Sequence, residues 1–140
     1  MRFALPDGTP EGSLLVTSKN ESRLFSLSTS TWNPTRFRTL SPYSRTYPHQ
    51  GTSVLLPIRP EEPTRIRVMV IGGEGAEEVA TTTAEIFDFN PADPSASGWR
   101  TPVGGGMRHG RFMCDSVLLP DGTVLVVNGA GRGKADRRNR

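Results

Sequence analysis

The sequence predicts an all-β fold built from two to three repeated antiparallel sheets. Its apolar runs are only a few residues long, and the 140 residues include 15 glycines and 12 prolines that separate these runs. No segment shows the 3.6-residue period of an amphipathic helix. Similar strand and turn segments also recur along the chain, which indicates a fold made of repeated units.

Seven segments have the composition of strands, rich in β-branched and aromatic residues and bounded by turn residues. They are residues 14–16, 23–28, 53–56, 65–71, 84–89, 115–119 and 123–127. The last two flank Pro120-Asp121-Gly122, which predicts a tight hairpin turn because proline presets φ and glycine tolerates a positive φ. Residues 58–64 and 90–97 are predicted as loops, and residues 74–83 as a polar loop rather than a helical turn.

The repeat is seen in paired segments. Residues 53–57 recur as 116–120, and residues 70–73 recur as 126–129. Trp32 precedes residues 53–57 in the same way that Trp99 precedes residues 116–120. Residues 1–40, which contain Trp32, therefore fit a third and weaker copy of the repeat. We assign structural roles in this repeat to Gly72, Gly73, Trp99, Pro120, Asp121, Gly122, Asn128 and Gly129.

Repeats of this length with paired glycines and a tryptophan are typical of kelch β-propellers, in which each repeat forms one four-stranded blade. We therefore predict an incomplete kelch-type β-propeller over residues 1–134, with blades at approximately 1–40, 45–103 and 107–134. Residues 135–140 form a basic C-terminal tail. The open sheet edges of an incomplete array predict contacts with remaining blades, with a protein partner or with a second copy.

The net charge of +3 comes from the tail, because residues 132–140 hold five of the 17 basic residues and one of the 14 acidic ones. The rest of the chain is nearly neutral, so no specific nucleic-acid binding is predicted. No apolar run is long enough to span a membrane or to serve as a signal peptide. Arg36, Arg38 and Arg45 are interpreted as a solvated basic cluster, and Asn20-Glu21-Ser22 is a possible glycosylation site.

Residues 111–130 resemble one blade of the glyoxal oxidase-like and galactose oxidase-like kelch family. An arginine, an aspartate, a strand, Pro-Asp-Gly, a second strand and Asn-Gly-Ala follow one another in that order. The similarity extends over about residues 40–134. It implies kinship with secreted copper radical oxidases, which oxidise aldehydes or primary alcohols with O₂ and release peroxide. Their copper is held by two tyrosines and two histidines, one tyrosine being crosslinked to a cysteine.

The resemblance does not extend to the copper ligands. The family's Tyr-His pair lies shortly before the proline that ends a strand. Counting back from Pro120 places this pair on Phe112-Met113, and counting back from Pro57 places it on His49-Gln50. The crosslinked pair would lie before Met1, and the remaining ligands after Arg140. We therefore predict no catalytic, cofactor-binding or metal-binding residue in this chain. Its candidate donors are interpreted as loop or packing residues: Tyr47, His49, His109 and Cys114.

Three functional hypotheses follow. The chain is a catalytically inactive fragment of an oxidase-type propeller, whose copper ligands lie elsewhere. Alternatively, it is a kelch module that binds a protein through its loops. A third reading is a vestigial or wrongly predicted product, suggested by the low apolar content of 34%. The compartment is not predicted: the family is typically extracellular, but no leader is seen in this sequence.

Overall fold

A computed structural model describes residues 1–46 and 50–132, and it confirms the all-β prediction. Both helical segments in these residues are single 3-10 turns, Ala76–Glu78 and Pro94–Ala96. The eleven strands are β1 Arg2–Leu5, β2 Ser13–Ser18, β3 Glu21–Ser26, β4 Thr31–Trp32, β5 Phe37–Arg38, β6 Thr52–Leu55, β7 Ile66–Ile71, β8 Ala84–Phe89, β9 Gly98–Arg100, β10 Phe112–Leu118 and β11 Val124–Ala130.

The strands form three antiparallel sheets in chain order. Sheet 1 has the order β1-β2-β3-β4, with β5 also paired to β3. β4 pairs with residues 25–26 and β5 with residues 21–22, so the two short strands share the fourth position of this sheet. Sheet 2 has the order β6-β7-β8-β9, and sheet 3 contains β10 and β11. This is the architecture of an incomplete propeller, as predicted.

All seven segments predicted as strands are strands in the structure. The loops at residues 58–64 and 90–97 connect neighbouring strands of sheet 2, and the 74–83 loop contains one 3-10 turn. The prediction missed β1, β5 and the outer strands β4 and β9. Except for β1, these strands have only two or three residues, too few to show an alternating pattern.

The hydrophobic core lies between sheets 1 and 2. In an antiparallel sheet, alternate residues of a strand point to the same face, and directly paired residues share a face. Phe87 is fully buried at the centre, with ring centroids 5.1 Å from Phe37 of sheet 1 and 5.3 Å from Trp99 of its own sheet. The buried residues of the cluster between these two sheets are Leu5, Leu15, Leu24, Phe37, Ile66, Val68, Phe87 and Phe89.

The two tryptophans occupy equivalent positions in sheets 1 and 2. Trp99 lies on β9 opposite Phe87 and packs against the core, so it faces sheet 1, the preceding sheet. Trp32 lies on β4 opposite Phe25, which neighbours the core residue Leu24 and therefore points to the other face of sheet 1. Trp32 is 44% exposed, and the face of sheet 1 that it occupies has no sheet packed on it among the described residues.

Sheet 3 meets sheet 2 through backbone contacts that require glycine. Gly72 and Gly73 follow β7 with φ of 67° and 101°, in the left-handed region. The Gly73 N–H donates to the carbonyl oxygen of Arg111 at 2.9 Å, and a Cβ built on Gly72 would overlap that same oxygen. The Thr52 and Ser116 hydroxyls add a 3.0 Å hydrogen bond between β6 and β10.

Replacing Gly72 by alanine should lower the free energy of unfolding by about 2–3 kcal/mol, from left-handed strain together with overpacking against fixed backbone. Gly122→Ala is the matched control: its φ is 81°, but no atom lies within 4 Å of its Cβ position. Denaturant unfolding of both variants measures the difference. Equal losses for the two variants would show that close packing at Gly72 contributes nothing.

Candidate functional site

A buried ion pair joins the chain segment between sheets 1 and 2 to the centre of sheet 2. The Arg45 side chain is fully buried and its Nη2 donates to Oε1 of Glu85, whose side chain is 3% exposed. Nη2 also donates to Thr83 Oγ1 at 2.7 Å, while Nη1 donates to the carbonyl oxygens of Gly72 and Thr83. These bonds balance the buried charge and hold the start of β8 against the end of β7.

The Glu85 carboxylate extends this network into sheet 1. Its Oε2 accepts the Leu40 N–H at 2.6 Å, and its Oε1 accepts the Ser41 N–H at 3.1 Å. The Arg45 N–H donates to the carbonyl of Lys19, in the β2–β3 turn, at 3.0 Å. One buried carboxylate and one guanidinium therefore fix the relative position of sheets 1 and 2.

The interpretation of Arg45 as a solvated surface residue was wrong. Arg36 and Arg38 are exposed as predicted, and Arg36 pairs with Glu21 at 2.7 Å on the surface. Arg45 is buried because it pairs with Glu85, which lies on the core-facing side of β8. This partner is far away along the chain, so the segment around Arg45 does not indicate the burial. The alternation of residues along β8 indicates that Glu85 is buried, because it shares a face with Phe87 and Phe89. A buried carboxylate requires a cationic or hydrogen-bonding partner.

A pocket of about 410 Å³ opens above this ion pair, between the two sheets. One wall is the segment after sheet 1, with Leu40 57% exposed and Tyr43 41% exposed. The facing wall is the loop that leads into β8, with Thr81, Thr82 and Thr83. The Met107 N–H donates to the Thr82 carbonyl at 2.7 Å and so holds the loop in place. This pocket was not predicted from the sequence, because its walls come from distant segments.

The candidate copper donors are not brought together in the described residues. Tyr47 and His49 lie outside them. His109 is exposed, whereas Cys114 is buried in β10, where burial raises the pKa of its thiol above the ordinary value. Over residues 1–46 and 50–132, no three His, Cys, Asp or Glu side chains form a group suited to a metal ion. The described residues therefore do not fit a copper centre.

The repeat residues of sheet 3 occupy its turn and its distal end. Pro120-Asp121-Gly122 links β10 to β11, where Asp121 Oδ1 accepts from the Thr123 N–H and hydroxyl, and Gly122 has a φ of 81°. At the other end, Asn128 and Gly129 both have positive φ. Asn128 Nδ2 donates to Asp115 at 3.0 Å, and the Arg111 guanidinium donates to the Asn128 carbonyl at 2.8 Å. These contacts stabilise the hairpin, and none of them forms an open ligand site.

Asn20, the possible glycosylation residue, lies in the β2–β3 turn. Its side-chain amide donates to the Pro42 carbonyl at 3.2 Å, and Ser22 of the same sequon is fully buried, with its hydroxyl 2.9 Å from that of Thr17. Glycosylation of Asn20 stays a prediction. The basic tail at 135–140 lies outside the described residues, and the helical segments within them are too short to cross a membrane.

Comparison with known proteins agrees with this architecture. Residues 7–139 match the family described as glyoxal oxidase N-terminus. The chain is also 34% identical to an aldehyde oxidase from Arabidopsis thaliana, GLOX1, over an alignment that covers 89% of this chain. That alignment covers 22% of the Arabidopsis protein, so this chain spans about a fifth of its relative's length. On this evidence, the chain belongs to the glyoxal oxidase N-terminus family.

Proposed function

We propose that this chain forms part of the propeller wall of a glyoxal oxidase-like copper radical oxidase, and that it neither holds copper nor oxidises aldehydes by itself. The family match and the similarity to an aldehyde oxidase support the first part. The second part is supported by the donor set: the described residues offer one histidine and one tyrosine, His109 and Tyr43, which are exposed, and one cysteine, which is buried in β10.

The exposure of Trp32 is the observation that carries the proposal. Trp99 is covered by the preceding sheet, whereas Trp32, at the equivalent position of sheet 1, remains open to solvent. Sheet 3 presents a second open surface, with Val117 49% and Leu125 46% exposed. Exposed apolar faces at both ends of a stack of sheets favour packing against further sheets of the same kind.

The proposal is tested by adding Cu(II) to the purified chain, measuring bound copper by electron paramagnetic resonance, and assaying peroxide release with glyoxal. We expect neither one tightly held copper per chain nor peroxide above the copper-free background. The Arabidopsis aldehyde oxidase, treated identically, is the positive control. One equivalent of tightly bound copper together with peroxide formation would overturn the proposal.

A kelch-type protein-binding module is the second candidate function. Thr64 and Arg65 from one loop and Asn90, Pro91 and Ala92 from another line a common recess at one end of sheet 2. Adjacent exposed loops on a rigid sheet are a frequent arrangement for protein recognition. Sequencing the transcript on both sides of this segment discriminates the candidates, since flanking blades with Tyr-His pairs favour the oxidase and blades without them favour the binding module.

A further inference from the structure

We propose that the pocket between sheets 1 and 2 binds a neutral sugar. Its volume of about 410 Å³ falls within the range of roughly 300–1,000 Å³ that is usual for small-molecule sites. This inference does not depend on copper chemistry, because the pocket is built entirely from residues of this chain. It concerns a binding site and involves no covalent step.

The two walls of the pocket differ in chemistry. Leu40 and Tyr43 present large side chains that are substantially exposed on the same wall of the pocket, so a ligand seated there would bury apolar surface of both. The threonine loop on the facing wall contributes hydroxyl groups, and those of Thr81 and Thr83 are already hydrogen-bonded to each other at 3.0 Å. A ligand that fits both walls has an apolar face and a hydroxylated edge, and a sugar ring has both.

The charge of the pocket selects a neutral ligand. Glu85 is the charged residue among those that line it, and the buried guanidinium of Arg45 already compensates its carboxylate. An anionic ligand would approach the Glu85 carboxylate without a free cation to pair with. A cationic ligand would gain little, because that carboxylate is paired. The hydroxyl groups of a neutral ligand, in contrast, can form hydrogen bonds with the threonine hydroxyls without adding a buried charge.

The pocket is held in its open shape before any ligand arrives. Arg45 fixes Thr83 through bonds to its hydroxyl and its carbonyl, and Met107 fixes Thr82 through the backbone. On the other wall, the Glu85 carboxylate fixes the backbone of Leu40. Such preorganisation reduces the ordering cost of binding a weakly held neutral ligand.

The test is saturation-transfer NMR on the 140-residue chain with methyl β-glucoside as the neutral probe and with gluconate and glucosamine as its charged counterparts. We expect saturation transfer to the neutral probe alone. Tyr43→Ala should weaken its affinity about 3- to 10-fold through loss of ring contact, and Thr82→Val about 2- to 10-fold through loss of one hydroxyl. Both residues are exposed, so both variants should keep the amide spectrum of the folded chain.

Trp32→Ala is the matched control, since it removes an exposed aromatic residue that lies outside the pocket. It should leave the affinity unchanged. The proposal is overturned if the folded wild-type chain transfers no saturation to the neutral probe, or if the charged probes bind equally well. It is equally overturned if Trp32→Ala weakens binding as much as Tyr43→Ala, because contact with the probe would then not be specific to the pocket.

Discussion

Replacing Arg45 by methionine should lower the free energy of unfolding by about 3–5 kcal/mol, because the Glu85 carboxylate would remain buried without its cation. The same substitution removes the donors to Thr83 and to the Gly72 carbonyl, at the junction of β7 with β8. A domain stabilised by roughly 5–15 kcal/mol would lose a large part of its stability. Urea denaturation followed by circular dichroism measures the loss.

Two further variants separate the charge effect from the loss of packing. The double variant Arg45→Met with Glu85→Leu removes both charges and should recover part of the loss, since buried ion pairs are often replaceable by apolar residues. The recovery is only partial because the Leu40 and Ser41 N–H groups and the Gly72 carbonyl lose their partners. Arg36→Met breaks the exposed pair with Glu21 and should cost no more than about 1 kcal/mol. If Arg45→Met were as mild as Arg36→Met, the buried pair would not be what joins the sheets.

Local patterns in the sequence were sufficient to predict most of the fold. The β10–β11 hairpin follows from two apolar runs on either side of Pro120-Asp121-Gly122, where the proline and glycine dictate the turn. Gly72 and Gly73 were identified through the repeat, and both have the positive φ that glycine adopts most readily. In the hairpin, the residues that determine the structure are neighbours in the sequence, whereas the glycine pair is recognised only by its recurrence along the chain.

The ion pair and the pocket were not predictable in this way. Arg45 lies in an irregular segment, and nothing near it in the sequence indicates burial; its environment is created by β8, which follows much later. The walls of the pocket likewise meet only after sheets 1 and 2 have packed together. Long-range contacts of this kind depend on the relative position of the sheets, which strand patterns alone do not specify.

The candidate copper donors show that residue type alone does not define a site. His109 and Cys114 are residue types that bind copper, yet one is exposed and the other is buried with its pKa raised by burial. A metal site needs donors that converge, with further groups that orient them. The absence of copper ligands from this chain therefore stays a prediction that rests on the repeat positions.

Replacing Trp99 by alanine should lower the free energy of unfolding by about 3–5 kcal/mol, the usual loss for a large aromatic residue packed in a core. Trp99 stacks edge-to-face on Phe87 and lies against the cluster between sheets 1 and 2. Its removal would leave a cavity beside the buried apolar cluster at this interface. Thermal unfolding followed by far-ultraviolet circular dichroism measures the loss without relying on tryptophan fluorescence.

Trp32→Ala provides the comparison, because it changes the equivalent residue of the neighbouring sheet. Trp32 contacts Phe25, with ring centroids 5.0 Å apart, and the Arg23 guanidinium, but no sheet among the described residues covers it. Its loss should therefore cost only about 1–2 kcal/mol, the contribution of one aromatic pair and one exposed cation–π contact. A cost equal to that of Trp99 would contradict the view that Trp32 occupies an open face. The expected inequality would agree with the proposal that this face of sheet 1 is open for a further sheet to pack on it.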